Sequence, residues 1–174
     1  MKYLKKITFF WIILIIFQTN LTADVPSYLD FKYILNQSEA GKKAQDFLKK
    51  KLDNGVKSLK KKEKALQEEE KKIIQQKKVV SAEEYKKNVT DLRKKVESLQ
   101  KERNSLLSEV SKQRAKARTE LLKNLNPIIQ EYMKEKNIRM VLDKKSILLS
   151  DEKLDITQDI IKKLNEKLKS VKLN

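Results

Sequence analysis

The stretch that decides the fold is residues 81–110, SAEEYKKNVTDLRKKVESLQKERNSLLSEV. Its apolar residues recur at intervals of four and three, and Arg103 is the one charged residue in that series. The series consists of Tyr85, Val89, Leu92, Val96, Leu99, Leu106 and Val110. This heptad spacing lines the apolar side chains along one stripe of an α-helix, whereas a half-buried strand would alternate every second residue. The stretch therefore predicts one long helix of a coiled coil.

A second helix with the same rhythm is predicted upstream of this stretch. Its apolar residues are Leu52, Val56, Leu59, Leu66 and Ile73. Glu63 and Glu70 lie between them, at positions where a coiled coil normally has an apolar residue. The apolar seam of this helix is therefore thin.

The two predicted helices are separated at Ser81. Ser81 and Glu84 match the S-x-x-E capping box, in which the serine hydroxyl and the glutamate carboxylate each bond a free amide of the first turn. A new helix therefore starts at Ser81, and we predict that the two helices fold back as an antiparallel hairpin with its tip near residues 79–81. One continuous helical rod is the alternative.

The composition favours a few long elements and excludes most catalytic chemistry. The 174 residues include only two Gly and two Pro, too few turn-forming residues for a barrel, a sandwich or a doubly wound nucleotide fold. The absence of Cys and His removes thiolate nucleophiles, serine–histidine triads and the usual zinc ligands. We therefore expect no enzyme activity, no cofactor and no metal site.

The N-terminus has the pattern of a secretory signal peptide. Lys2, Lys5 and Lys6 precede the apolar residues 7–17, and a polar stretch then ends at the small Ala23. The apolar run is much shorter than the roughly 20 residues that a spanning helix needs, so cleavage after Ala23 is favoured over an uncleaved anchor. Cleavage removes three of the 41 basic residues and none of the 24 acidic ones, which lowers the net charge from +17 to +14.

The two ends of the mature chain predict a small body. We expect one short strand within residues 25–35 and two more at residues 138–143 and 147–149, followed by an amphipathic helix capped by Asp155. Folding back the helices brings the ends together, so that one sheet can use strands from both. Three short strands cannot close a core in water, and their exposed edges predict oligomerisation.

Segments at both ends of the mature chain match a known family. They are Leu29–Phe31 leading into Ile34–Asn36, Ser38–Ala44, Met140–Asp143 and Leu154–Thr157. On these segments the chain resembles the periplasmic chaperones known as Skp, or OmpH-like proteins. The resemblance implies a homotrimer in which a small β body carries three helical hairpins. It also implies a cavity between the hairpins that holds unfolded outer-membrane proteins without ATP.

The pattern and the resemblance together predict an α+β protein that is mainly α. Residues 1–23 are the predicted signal peptide, residues 24–38 and 138–174 the trimerising body with its C-terminal helix, and residues 39–137 the coiled-coil hairpin. The predicted function is that of an ATP-independent periplasmic holdase, which keeps unfolded outer-membrane proteins from aggregating on their way to the outer membrane. The alternative is a structural coiled-coil protein of the cell envelope without chaperone activity.

Two sets of residues are predicted to carry this function. Near the tip, apolar residues beside lysines are expected to bind clients, namely Ile73, Ile74, Lys77, Lys78, Val79, Val80, Tyr85, Lys86, Lys87 and Val89. In the body, apolar residues are expected to form the trimer interface, namely Tyr28, Leu29, Met140, Leu142, Ile147 and Leu149. For each apolar tip residue, simple packing between the helices is the alternative role.

The excess of lysine predicts attraction to acidic partners. The lysines alternate with glutamates around the helices, so they form no coherent face of the kind that binds a phosphate backbone, and we expect no nucleic-acid binding. Anionic lipid or lipopolysaccharide is a further candidate partner, because a net-positive exported protein attracts anionic headgroups.

Overall fold

The computed structural model describes residues 25–173, and the predicted signal peptide of residues 1–23 lies outside this range. The described chain is mainly helical, as the sequence predicts. Its elements in chain order are strand β1 (Ser27–Leu29), helices α1 (Phe31–Gln37), α2 (Glu39–Gln76) and α3 (Ala82–Glu135), strand β2 (Val141–Asp143), two short 3-10 turns (Lys144–Ser146 and Glu152–Leu154) and helix α4 (Thr157–Lys167).

Helices α2 and α3 are the two long elements, and each begins at a serine cap. The Gly41 N–H donates to Ser38 Oγ (3.2 Å), and the Glu84 N–H donates to Ser81 Oγ (3.2 Å). Each serine thereby satisfies one amide that has no partner within the first helical turn. The predicted start of a new helix at Ser81 is confirmed.

The two long helices pack against each other, and ion pairs join them along their length. Lys51 contacts Glu109 (2.5 Å), Lys62 contacts Glu102 (2.5 Å) and Lys95 contacts Glu69 (2.6 Å). The partner numbers on α3 fall as those on α2 rise. We call this pair of helices the arm, its residues from Leu59 to Leu106 the outer half, and the part nearer the strands the root.

Gly55 allows the close approach of the two helices. A Cβ atom at Gly55 would lie 2.4 Å from Leu106 Cδ2, which is shorter than any ordinary contact. Gly55 therefore does not interrupt α2; instead, the absence of a side chain makes room for Leu106 of the other helix.

The two strands form a parallel pair built from both ends of the chain. The register aligns Ser27 with Val141 and Leu29 with Asp143. On its other side, β1 contacts the segment before α4, where the Ile156 N–H donates to Tyr28 O (2.9 Å). The prediction that one small sheet uses both ends of the chain is confirmed.

The core of the body lies where α3, α4 and α1 meet. The largest fully buried side chains there are Ile34, Leu125, Ile128, Ile160 and Leu164. Helix α4 contributes the last two of these on one face, as the four-residue spacing of an amphipathic helix requires.

Of the three predicted strands, one forms within residues 25–35 as expected, one is shorter than predicted and one does not form. Strand β2 covers Val141–Asp143 rather than residues 138–143. Only residues 27–29 of the N-terminal segment are extended, because the Asp30 carboxylate accepts the Tyr33 N–H (2.8 Å) and starts α1 at Phe31. The expected strand at 147–149 does not form. That segment lies between two 3-10 turns, in which the Asp143 carboxylate accepts the Lys145 N–H and the Asp151 carboxylate accepts the Lys153 N–H.

The predicted cap of the last helix is displaced by one position. Helix α4 begins at Thr157, and Ile156 occupies the cap position without a side-chain bond. Asp155 still serves the helix start, because its carboxylate accepts the Thr157 N–H (2.9 Å).

Candidate functional site

The outer half of the arm encloses an open cleft of about 640 Å³ between α2 and α3. Its apolar lining includes Leu66, Ile74, Tyr85, Val89 and Leu92, and charged side chains from both helices lie among them. In the outer half, part of the apolar surface between the two helices therefore stays accessible.

The predicted tip residues differ in how far they are exposed. Ile74 and Val79 are 59% and 84% exposed, so both apolar side chains lie mostly in water. Val80 and Val89 are partly buried. Ile73 is only 7% exposed although it lines the cleft, which agrees with the alternative role of packing between the helices.

The lysines near the tip lie in water around this apolar surface. Lys77, Lys78, Lys86 and Lys87 are all exposed. The Lys77 Nζ lies 5.9 Å from the centre of the Tyr85 ring, a cation–π distance that draws this half-buried ring towards the turn between the helices. The surface at the tip therefore combines exposed aliphatic groups with positive charge.

Two of the three charged residues at the predicted seam positions contact each other. Glu63 of α2 and Arg103 of α3 form an ion pair of 3.7 Å, and both line the cleft. Each residue appears in the sequence as an isolated interruption of its own helix. Their pairing could have been found by testing which register brings the two interruptions to the same height, and it explains why the seam stays open there.

The predicted interface residues of the body separate into two groups. Tyr28 and Leu29 are buried in the body itself. Met140 and Leu149 are 55% and 90% exposed, Leu142 is also exposed, and Ile147 is partly buried.

Leu148, which the sequence analysis did not select, is 95% exposed beside Leu149. The sequence signal that could have identified Leu148 is the short apolar run of residues 147–149 in which it lies.

Asp155 connects the sheet to helix α4 electrostatically. Partial burial raises the pKa of Asp155, but hydrogen bonds from Thr157 and from Lys144 (3.3 Å) outweigh that effect and hold this pKa below its ordinary value. Lys144 also lies over the Tyr28 ring, 5.9 Å from its centre. These contacts fix β1 against the start of the last helix.

Tyr132 of α3 and Asp159 of α4 form a second polar link in the body. The Tyr132 hydroxyl donates to the Asp159 carboxylate. Burial, together with this hydrogen bond and the nearby charge, raises the pKa of Tyr132 to about 12. The hydroxyl therefore keeps its proton, and the bond, throughout the neutral pH range.

Residues 25–173 contain neither a metal-binding cluster of side chains nor a membrane-spanning helix. This part of the chain holds no cluster of acidic side chains that could bind a metal ion. None of its helices combines the length and the apolar character needed to cross a membrane.

A long two-helix arm on a small strand-and-helix body is the architecture of the residues that the structure describes. The model of the OmpH-like outer membrane protein family matches residues 27–164, and the chain belongs to that family. The predicted family resemblance is confirmed.

A solved structure has the same fold. It is the crystal structure of a proposed outer membrane chaperone (OmpH-like) from Caulobacter crescentus, with a TM-score of 0.80 and 21% sequence identity. The similarity covers 90% of this chain and 94% of that one. A comparison with curated proteins gives no match.

Proposed function

We propose that this protein is an ATP-independent holdase chaperone of the periplasm, whose clients are unfolded outer-membrane proteins. The observation that carries the proposal is the outer half of the arm, where Ile74 and Val79 are exposed beside lysines around an open cleft. Unfolded barrel strands have apolar faces that they cannot bury in water, and they aggregate unless another surface covers those faces. Family membership and the chaperone description of the Caulobacter relative support the same role.

The proposal includes an assembly and a location. In it, residues 39–137 form an antiparallel coiled-coil hairpin, and three copies associate through the body of residues 24–38 and 138–174. The exposed Met140, Leu142 and Leu149 supply apolar surface for that association, while Tyr28, Leu29 and Ile147 support it from the body. Residues 1–23 direct export and are then removed, and the basic surface also attracts anionic lipid or lipopolysaccharide.

The client surface in this proposal has an apolar part and a basic part. The apolar part is Ile74, Val79, Val80, Tyr85 and Val89, with Ile73 behind it, and it slows release. The basic part is Lys77, Lys78, Lys86 and Lys87, and it speeds capture of acidic segments. Salt shortens the Debye length from about 10 Å at 0.1 M to about 3 Å at 1 M, so it should slow capture and leave release nearly unchanged.

The test is suppression of aggregation of an unfolded outer-membrane barrel protein diluted from urea. Ile74→Ser/Val79→Ser should weaken protection several-fold. The matched control is Val56→Ser/Leu107→Ser, which removes two exposed apolar side chains nearer the root. Replacing the four tip lysines by Gln should flatten the salt dependence of capture. Wild-type chain that leaves aggregation unchanged would favour the structural coiled coil instead.

A further inference from the structure

The last described residues form a segment that crosses from the body to the arm. After α4 ends at Lys167, residues 168–173 continue without helix or strand, and we call them the C-terminal strap. Leu168 packs against the body core, whereas Val171 and Leu173 pack against the root of the arm, where Leu173 is only 5% exposed. The strap lies beyond the family match, which ends at residue 164.

The strap covers an apolar floor made by both arm helices. Ala44 and Leu48 of α2 and Val110 and Ala117 of α3 form one buried cluster with Leu173. We call these four residues the root groove. Val171 and Leu173 of the strap pack against this floor.

The same floor also borders an open space that the strap does not fill. A cleft of about 920 Å³ is lined by all four residues of the root groove. Five basic side chains, among them Lys49, Arg114 and Arg118, line this cleft against only two carboxylates. The surroundings of the root groove therefore favour a ligand that combines apolar and acidic side chains.

The strap contributes no side chain to the lining of this cleft, and its own charge is positive, like that of most charged residues there. Val171 and Leu173 are two residues apart in non-helical backbone, so they lie on the same side, and the exposed Lys172 lies between them. Lys169 forms an ion pair with Glu39 (3.2 Å) near the body, but the strap brings two lysines to a basic region and no acidic side chain.

We propose that the root groove is a docking site for extended, amphipathic, acidic polypeptide segments, and that the C-terminal strap is its resident occupant, which an incoming segment displaces. The inference rests on the proposed function in that the incoming segment is a client strand. Alternating apolar and polar residues are the pattern of a barrel strand, and the strap carries the same alternation at Val171–Leu173. The strap thus keeps an apolar groove covered until a better-fitting segment arrives.

Competition of this kind has a measurable size. If the strap occupies the groove in about 90% of molecules, the apparent affinity for an added segment falls about tenfold. Removing the apolar contacts of the strap should therefore raise the apparent affinity for an added segment about tenfold without changing the residues of the groove.

The first experiment measures binding of one defined probe by fluorescence anisotropy. The probe is a fluorescein-labelled peptide of about ten residues, the length of a membrane-spanning strand, with alternating Val and Glu. Full-length Val171→Ser/Leu173→Ser should bind it about tenfold more tightly than wild type, whereas Lys172→Ser, at the exposed position between them, should bind it within about twofold of wild type. Equal affinities for wild type and the double variant would overturn the proposal.

The second experiment follows the strap in a chain with both apolar contacts intact. Because the sequence contains no cysteine, Lys172→Cys accepts a single nitroxide spin label. Saturating the peptide should convert the spectrum from a slow to a fast component, and the double variant should show the fast component from the start. Peptide that binds while the label stays slow would contradict displacement.

The two proposals fail in different ways. If the chain protects an unfolded barrel protein but the double variant binds peptide no better, the strap is only a structural tie and the holdase role stands. If the peptide displaces the strap but aggregation is not suppressed, the groove stands and the holdase role fails.

Discussion

The body and the outer half of the arm are held together by different forces. In the body, aliphatic side chains such as Ile34, Leu125 and Leu164 are completely removed from water. In the outer half, Leu59 and Ile73 are the buried apolar residues of α2, and ion pairs in water join the helices between them. Burial of apolar side chains therefore stabilises the body, whereas the outer half of the arm depends mainly on weak ion pairs.

The energies of the two kinds of contact differ severalfold. Burying a Leu or Ile side chain stabilises a protein by about 1.5–3 kcal/mol, whereas a solvent-exposed ion pair contributes about 0–1 kcal/mol. The outer half should therefore open locally at a much lower free energy than the body.

The largest expected effect comes from the core of the body. Leu125→Ala should lower the free energy of unfolding by about 3 kcal/mol, because it leaves a cavity among side chains that cannot collapse into it. Leu66→Ala, at a partly buried position that lines the arm cleft, should lower it by less than about 1 kcal/mol. Urea unfolding followed by circular dichroism measures both, and equal losses would show that the two regions are equally well packed.

Asp155 should give the next largest effect, and this effect depends on pH. Asp155→Ala removes the acceptor of the Thr157 and Lys144 hydrogen bonds and should cost about 1.5 kcal/mol at pH 7. The folded pKa of Asp155 is lower than its ordinary value of 3.8, so this stabilisation is present above about pH 4 and is lost as the pH falls through the lowered pKa.

The measurement for Asp155 is urea unfolding at pH 7 and at pH 2.5. The difference between wild type and Asp155→Ala should shrink at the lower pH. A difference that stays constant would mean that the side chain acts through packing rather than through its charge.

Replacing the charged pair of the seam by apolar residues should give the arm more of the buried apolar contacts that stabilise the body. Glu63→Leu/Arg103→Leu restores apolar residues at two seam positions and should stabilise the arm by roughly 1 kcal/mol. The matched control is Glu97→Leu/Lys101→Leu, an exposed ion pair within α3 alone. Thermal unfolding followed at 222 nm compares the two, and an equal change in both variants would locate the effect outside the seam.

The smallest expected effect is that of salt on the arm. Raising the ionic strength from 0.1 M to 1 M should weaken each cross-helix pair by at most about 0.5 kcal/mol, and the buried core of the body should not respond. Amide exchange in residues 62–102 should quicken by up to a few-fold, while exchange at the fully buried Leu125 and Ile128 stays constant. Faster exchange in the body but not in the outer half would contradict the conclusion that ion pairs hold the outer half together.

The sequence predicts the parts of this fold that depend on repeating patterns. Heptad spacing identifies α2 and α3, and the capping box places the start of α3 at Ser81. The sequence fails where a single side chain decides between similar conformations. Asp30 converts an apolar strand-like segment into α1, and Asp143 and Asp151 bend the segment around Leu148 into turns.

The candidate site could be predicted only in outline. Its apolar and basic composition near the tip is visible in the sequence, but the burial of Ile73 beside the exposed Ile74 depends on the register between the helices. The pairing of Glu63 with Arg103 depends on the same register. The docking of Leu173 on the arm joins residues far apart in the chain, and three isolated apolar residues after the last helix give no periodic signal.

Hydrogen exchange with and without a client tests whether clients bind the outer half of the arm while buried apolar contacts keep the body closed. In the free protein, amides near the tip, in residues 73–85, should exchange quickly and those of residues 157–164 slowly, because the body is closed by more buried apolar contacts than the outer half of the arm. Adding an unfolded barrel protein should slow exchange in the outer half of the arm and leave the body as it was. Uniform protection in the free protein, or new protection confined to the body, would contradict the account.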